Sequence, residues 1–300
     1  MFAHMCDHDP GLSSPLSLLR VEMEVLWDLD GRGRLTGPAP LLAVAETGPG
    51  EGVGADGAGE CAMLVGAEVP DGLAEDLERL AAVPSAPGQP PVAVSRGASL
   101  LAGVCGPTVV SAAPSYLVRP DTADPGGARI LTHADLANGV GSGAGGSRGE
   151  AGAGIVGLLE EGNPGDWSAS EWRDLLAGRL GPWAMAYEEG QVVAVCHTPV
   201  ASAHGAEAGV WTRPGFRGRG LAAAVTARWA RSFPRGHRLF YSTTSDNRSS
   251  QRVAARLGLP PLGRVWSLSR PGQEGRHAER PWPAARLPDT LTPDGLRPMA

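Results

Sequence analysis

Apolar residues recur along this chain at two periods, and the switches between them mark out its elements. In the N-terminal half, residues 17–27 carry a helical pattern, and over 72–80 Leu73, Leu77 and Leu80 fall on one helical face. Residues 41–45 and 62–65 are short apolar runs that predict strands. In the C-terminal half, residues 183–187 and 191–196 flank Glu188-Glu-Gly190, the layout of two antiparallel strands around a short polar turn. Residues 207–212, bounded by Pro214-Gly215, predict a strand. Leu221, Val225 and Trp229 then recur at i, i+4 and i+8, which predicts a helix with one apolar stripe. A second strand follows over 239–243. After it, residues 245–258 read as a helix that starts on short polar residues and ends at Gly258. Residues 265–269 predict a last strand. Strands interleaved with helices put the chain in the α/β class, with a mixed sheet covered by helices.

The densest chemistry lies between the strand at 207–212 and the helix that begins at Leu221. Gly218 and Gly220 lack a Cβ, so the backbone there can take unusual dihedrals and approach a ligand closely. The first amides of the helix have no intrahelical acceptor and point outward with the positive end of its dipole. That combination suits a pyrophosphate. From Ala208 to Ser245 the chain carries Arg213, Arg217, Arg219, Arg228, Arg231, Arg235 and Arg238 without one acidic residue. Arg228 and Arg231 lie too far along the helix to reach the same anion. Gly31-Arg-Gly-Arg34 has a similar look, but Leu35-Thr-Gly-Pro38 follows it instead of a helix, which predicts a plain turn.

Arg217-Gly-Arg-Gly220-Leu-Ala222 fits the pattern Arg/Gln-x-x-Gly-x-Gly/Ala, and the region from about 155 to 270 resembles the GNAT superfamily of acetyl-CoA-dependent acyltransferases. The order strand, phosphate loop, helix, strand, then Asn-x-x-Ser leading into a helix that ends in Leu257-Gly258 extends the resemblance on both sides of the loop. It implies a mixed, mostly antiparallel sheet flanked by helices, and acetyl-CoA as co-substrate. The implied cofactor-binding residues are Val210, Trp211, Thr212, Arg217, Gly218, Arg219, Gly220, Leu221, Ala222, Asn247 and Ser250. Backbone around Val210–Thr212 would pair with the pantetheine arm, and an amide there would polarise the thioester oxygen. Glu207, at the start of the central strand, is the expected general base, directly or through water. His204, on a loop three residues earlier, stands behind it as the second candidate. Many GNAT enzymes have a tyrosine seven residues after the asparagine; here that position is Ala254, so Tyr241 or Ser250 is left as the candidate acid, or water. The implied reaction is acetyl transfer to a small-molecule primary amine in a ternary complex. A non-catalytic acyl-CoA-binding module is the alternative.

Composition narrows the remaining choices. The 26 basic residues are all arginine, and the net charge is −6. A local positive field within an acidic chain favours a small polyanion over nucleic acid. Cys6, Cys61, Cys105 and Cys196 show no paired spacing, so neither a metal site nor a disulfide framework is expected. Cys196 and His197 are neighbours on a strand and point to opposite faces, which disfavours a nucleophile pair. No apolar run suits a membrane span, and the start of the chain lacks a secretory layout; the expected compartment is the cytoplasm. Glycine-rich stretches at 47–59 and 139–154 read as loops. The expected organisation is an α/β domain over 1–138, a linker over 139–154, the GNAT-like domain over 155–270 and a Pro/Arg-rich tail over 271–300. The N-terminal domain reads either as a degenerate copy of the same fold or as a lid that shapes the acceptor pocket. The acceptor and the oligomeric state are not legible in the sequence.

Overall fold

The computed structural model describes residues 14–47, 61–84, 89–126, 128–137, 157, 159 and 161–273. The loop expected over 47–59 beyond Thr47, the linker over 139–154, the tail beyond Gln273 and Cys6 lie outside the described residues. In chain order the elements are α1 (Pro15–Leu26), β1 (Asp28–Leu29), β2 (Leu35–Thr36), β3 (Leu42–Glu46), β4 (Cys61–Val65), α2 (Asp71–Ala81), α3 (Val92–Cys105) and β5 (Val109–Val118). They continue as β6 (Ile130–Thr132), α4 (His133–Ala137), α5 (Ala169–Leu176), β7 (Ala184–Glu188), β8 (Gln191–Ala201), β9 (Gly205–Thr212), α6 (Leu221–Ala230), β10 (Arg238–Ser242), α7 (Arg248–Arg256) and β11 (Pro261–Ser269).

Two compact units share these elements. Among the described residues, one comprises those up to Tyr116, Ser242–Asp246 and those from Pro261 onward; the other comprises those from Leu117 to Tyr241 and Asn247–Pro260. In the first, β4, β3, β11 and β5 pair antiparallel in that order. Leu42 and Val44 of β3 join Leu77 of α2 and Leu101 of α3 in one core. Ala43 and Ala45, pointing the other way, are as fully buried, on the side where α1 packs. Ser14 caps α1 by accepting from the Ser17 amide, with Pro15 at the first helical position. The Gly31-Arg-Gly-Arg34 segment is the turn between β1 and β2, held by Asp30, whose carboxylate accepts from the Arg32 and Arg34 amides. Those two backbone bonds, the Arg34 one first, keep the Asp30 carboxyl below its ordinary pKa.

In the second unit, β10 runs parallel to β9, and β9, β8, β7 and β6 follow antiparallel. The β7–β8 hairpin closes on two residues, Glu189 and Gly190, both at positive φ (51° and 77°), the mirror-image turn that matches strand twist. Helix α6 packs on one face of this sheet through Leu221, Val225 and Trp229, each buried as the periodicity predicts. The other face is covered by Trp172 and Leu175 of α5, against Met185, Val192 and Val195. Ser168 and Glu171 start α5 with a reciprocal capping box. The fold is α/β, with mostly antiparallel sheets flanked by helices.

Candidate functional site

The second unit contains a cleft of about 980 Å³ at the point where β9 and β10 part. Their parallel register runs from Gly205↔Arg238 to Glu207↔Phe240 and extends no further. Beyond it Val210 and Thr212 of β9 and Tyr241 of β10 line opposite walls of the opening. The Arg213 amide donates to Val193 O of β8, so by strand alternation the backbone groups of Thr212 and Val210 face the opening instead. Thr212 O accepts from Arg217 Nε at 3.2 Å, which ties the loop arginine to the end of the strand.

The floor of the cleft is the N-terminus of α6. Gly220 is its N-cap residue at φ 85°, ψ 4°, and Gly218 two residues earlier is also left-handed at φ 78°. A residue with a Cβ is strained in that region, and glycine is not. The first turn of α6 contains no acidic residue and no side-chain cap, so its amides are presented to the cleft by Gly220, Leu221, Ala222 and Ala223. Arg217 of the loop and Arg252 and Arg256 of α7 bring three positive charges to the lining, and no Asp or Glu is among the described lining residues. Asn247 starts α7 by accepting the Ser250 amide on its Oδ1 at 3.1 Å, and both residues border the cleft.

Residues 155–259, which contain this cleft's lining, match the acetyltransferase (GNAT) family model. This segment is a GNAT acetyltransferase domain. No curated protein matches the chain. Solved structures similar to it include a GNAT-family acetyltransferase from Colwellia psychrerythraea, 17% identical over 53% of this chain and 56% of that one, with a TM-score of 0.34. A GCN5-related N-acetyltransferase from Kribbella flavida is 21% identical over 61% and 65%, with a TM-score of 0.37. A GCN5-related N-acetyltransferase-like protein from Streptococcus suis is 15% identical over 84% and 98%, with a TM-score of 0.35. The chain spans less than two thirds of the length of the first two. With scores this low, the assignment rests on the family match.

Within the GNAT domain, the cleft gathers Val210, Thr212, Arg217, Gly218, Gly220, Leu221, Ala222, Tyr241, Asn247 and Ser250 of the residues expected from sequence. Trp211 and Arg219 are set apart from its lining. Trp211 points to the opposite face of β9 and meets the Trp167 ring edge-on at 6.2 Å between centroids, with the Arg213 guanidinium 5.6 Å from its own centroid. Arg219 pairs with Glu188 of β7 at 2.8 Å and lies over the Phe216 ring. Glu207 is buried, at 5% exposure, at the last paired position before the strands part, and His204 is exposed in the loop before β9. Neither lines the cleft.

Sequence reading missed Arg252 and Arg256. Their spacing of four, on a helix already recognised, was the available signal. Cys196 and His197 do face opposite ways. Burial, and after it the charge of Glu207, pushes the Cys196 thiol well above its ordinary range, with a hydrogen bond between it and Thr226 of α6 opposing. His197 lies edge-on to Trp167 at 5.6 Å, and burial lowers its pKa to about 4. A thiol held protonated and an imidazole held neutral on separate faces make no nucleophile pair. Among the described residues, no helix is long and apolar enough to cross a membrane, and no group of three or more His, Cys, Asp or Glu gathers to hold a metal.

Proposed function

We propose that this protein is an N-acetyltransferase that moves an acetyl group from acetyl-CoA to a primary amine of a small molecule, by direct attack in a ternary complex. One observation carries the reading. Within the segment that matches the GNAT family, two parting strands open onto a helix N-terminus whose described lining has three arginines and no carboxylate. Acetyl-CoA supplies the activated thioester, and the chain supplies position and charge. The amides from Gly220 to Ala222, reached past Gly218, receive the pyrophosphate, with Arg217, Arg252 and Arg256 balancing its charge. The backbone groups of Val210 and Thr212 that face the opening pair with the pantetheine arm as an added strand would. One amide of this stretch polarises the thioester oxygen. Asn247 and Ser250 border the same arm from the start of α7.

Glu207 takes the proton of the incoming amine through water, which its burial outside the cleft lining requires, and His204 is the second candidate. Tyr241, a residue of the cleft lining, is the candidate for the acid that protonates the departing thiolate. The second reading, an acyl-CoA-binding module without catalysis, is favoured by Ala254: it is fully buried and offers no hydroxyl where many GNAT enzymes carry tyrosine. Free thiol followed in mixtures of the protein, acetyl-CoA and a panel of small amines separates the two. Acetyl transfer gives thiol release that depends on the amine. A binding module takes up coenzyme A and releases no thiol above the rate without amine.

A further inference from the structure

Helix α5 starts on its cap Ser168, and the residues just before and four after that cap, Trp167 and Trp172, pack their rings at 5.4 Å between centroids as a hydrophobic staple. Asn163 Nδ2 donates to Trp167 O at 2.8 Å and fixes the chain that leads into the staple. Held in this way, Trp167 also reaches the sheet. Its ring stands 5.6 Å from that of His197 on β8, with the planes at 82°, and 6.2 Å from that of Trp211 on β9, at 72°. The His197 ring lies across Gly209 of β9, where a Cβ would stand 2.6 Å from Cε1. Trp167 and Trp211 border the core beneath α5, yet they and His197 keep part of their surface exposed. Strand alternation puts Glu207, Gly209 and Trp211 on this face of β9, and Val210 and Thr212, which line the cleft, on the other. The base proposed above thus shares its face of the strand with the rings, and the acyl-CoA cleft opens on the opposite one.

We propose that the acceptor is a primary amine joined by a short alkyl link to an aromatic ring, with the ring seated in the corner between Trp167 and His197 and the amine directed at the thioester. The inference rests on the acetyl-transfer reading and names its substrate class. Two rings near a right angle offer a third ring a face to stack on and an edge to meet, the arrangements that aromatic pairs prefer. The His197 imidazole, neutral above about pH 4, brings no charge to repel an ammonium. Gly209, beneath the corner, is two residues from Glu207, about 7 Å along the strand, so a short link carries the amine from the ring to the base. A polar amine of the same length gains nothing from the corner.

Thiol release by the full chain with acetyl-CoA, and with phenethylamine or 2-methoxyethylamine as acceptor, tests this. The value of kcat/KM is expected to be higher for phenethylamine by about tenfold or more. Trp167→Ala should cut that ratio by about tenfold through the KM of phenethylamine, with its kcat little changed and the calorimetric Kd for coenzyme A within about twofold of the parent. Trp167→Phe, which keeps a ring in the corner, should retain most of the ratio. If Trp167→Ala does not fold, the two amines compared on the parent decide the matter. Equal kcat/KM for the two amines, or a ratio that survives Trp167→Ala, overturns the aromatic acceptor and leaves acetyl transfer standing. So does thiol release with other small amines but not with phenethylamine. No thiol release with any amine overturns both.

Discussion

The guanidinium of Arg256 lies across Gly220: a Cβ built on Gly220 would stand 2.8 Å from both Arg256 Cζ and one of its terminal nitrogens. A side chain two elements further along the chain is therefore seated on the helix N-terminus that the loop glycines shape. It brings a fixed positive charge to the place where first-turn amides already favour an anion.

If Arg256 acts there as a phosphate contact, its truncation removes a charge-assisted hydrogen bond, which is worth about 1.5–3 kcal/mol. Arg256→Ala is expected to weaken coenzyme A binding by roughly ten- to a hundredfold. The thermal midpoint of the ligand-free protein should change little, since the side chain reaches the surface of the cleft. Calorimetric Kd values for the two proteins check this.

Arg217 and Arg219 are neighbours but one in the loop, and they part company in the fold. Arg219 is engaged with Glu188, in a pair that is 50% exposed on the arginine side, a setting in which ion pairs contribute about 0–1 kcal/mol. Arg219→Ala should leave coenzyme A affinity within about threefold of the parent. Arg217→Ala, which takes charge out of the cleft lining, should cost about tenfold. A larger loss from Arg219 than from Arg217 would show that the loop rearranges on binding.

Asn247 has a structural duty beside its place in the cleft. Its Oδ1 satisfies the Ser250 amide at the start of α7, and loss of such a cap costs about 1 kcal/mol. Asn247→Ala should lower stability by about that amount in urea unfolding. Asn247→Asp keeps the acceptor oxygen and should not.

His197 ties stability to pH. Its pKa falls from the ordinary 6.5 to about 4, because burial disfavours the charged ring. As pH drops from about 6.5 to about 4, the unfolded chain takes up a proton at this position that the folded chain refuses. Stability is therefore full above pH 6.5 and falls across that window, by up to about 3 kcal/mol at its acid end. Burial also lowers the pKa of His133 and His237, which adds to the loss in the same direction. Urea midpoints between pH 7 and pH 4.5 should decline less steeply for His197→Gln than for the parent.

How far the sequence discloses this fold depends on where the relevant contacts lie. The α6 stripe of Leu221, Val225 and Trp229 is local, and periodicity finds it. The β7–β8 hairpin is local too, because a short polar turn ending in Gly190, a residue suited to positive φ, sits between two apolar runs. Helix α3 escapes the same reading. Gly97 lies in its middle, which argues against a helix, yet a Cβ there would meet Leu77 Cδ2 at 3.0 Å, so the glycine serves the close packing of α3 on α2. Strand β5 is masked by Pro114 and by small residues that do not alternate. The partners of β11, namely β3 and β5, come from more than a hundred residues upstream, and nothing local records them. The cleft follows the same division: Gly218, Gly220 and Asn247 are legible as motif positions, whereas for Arg256 the sequence offers only its spacing of four from Arg252, and its place over Gly220 comes from the packing of α7.

Calorimetric titration of coenzyme A into the parent and into Gly220→Asp asks whether the Gly218–Gly220 corner holds the phosphates of an acyl-CoA, as proposed. Gly220 is left-handed, at φ 85°, and faces the Arg256 guanidinium, so an aspartate there strains the turn and sets a negative charge where the pyrophosphate would lie. Saturable binding is expected for the parent, and none for a Gly220→Asp protein whose circular dichroism matches the parent's. Equal binding by both proteins, or no binding by the parent, would contradict it.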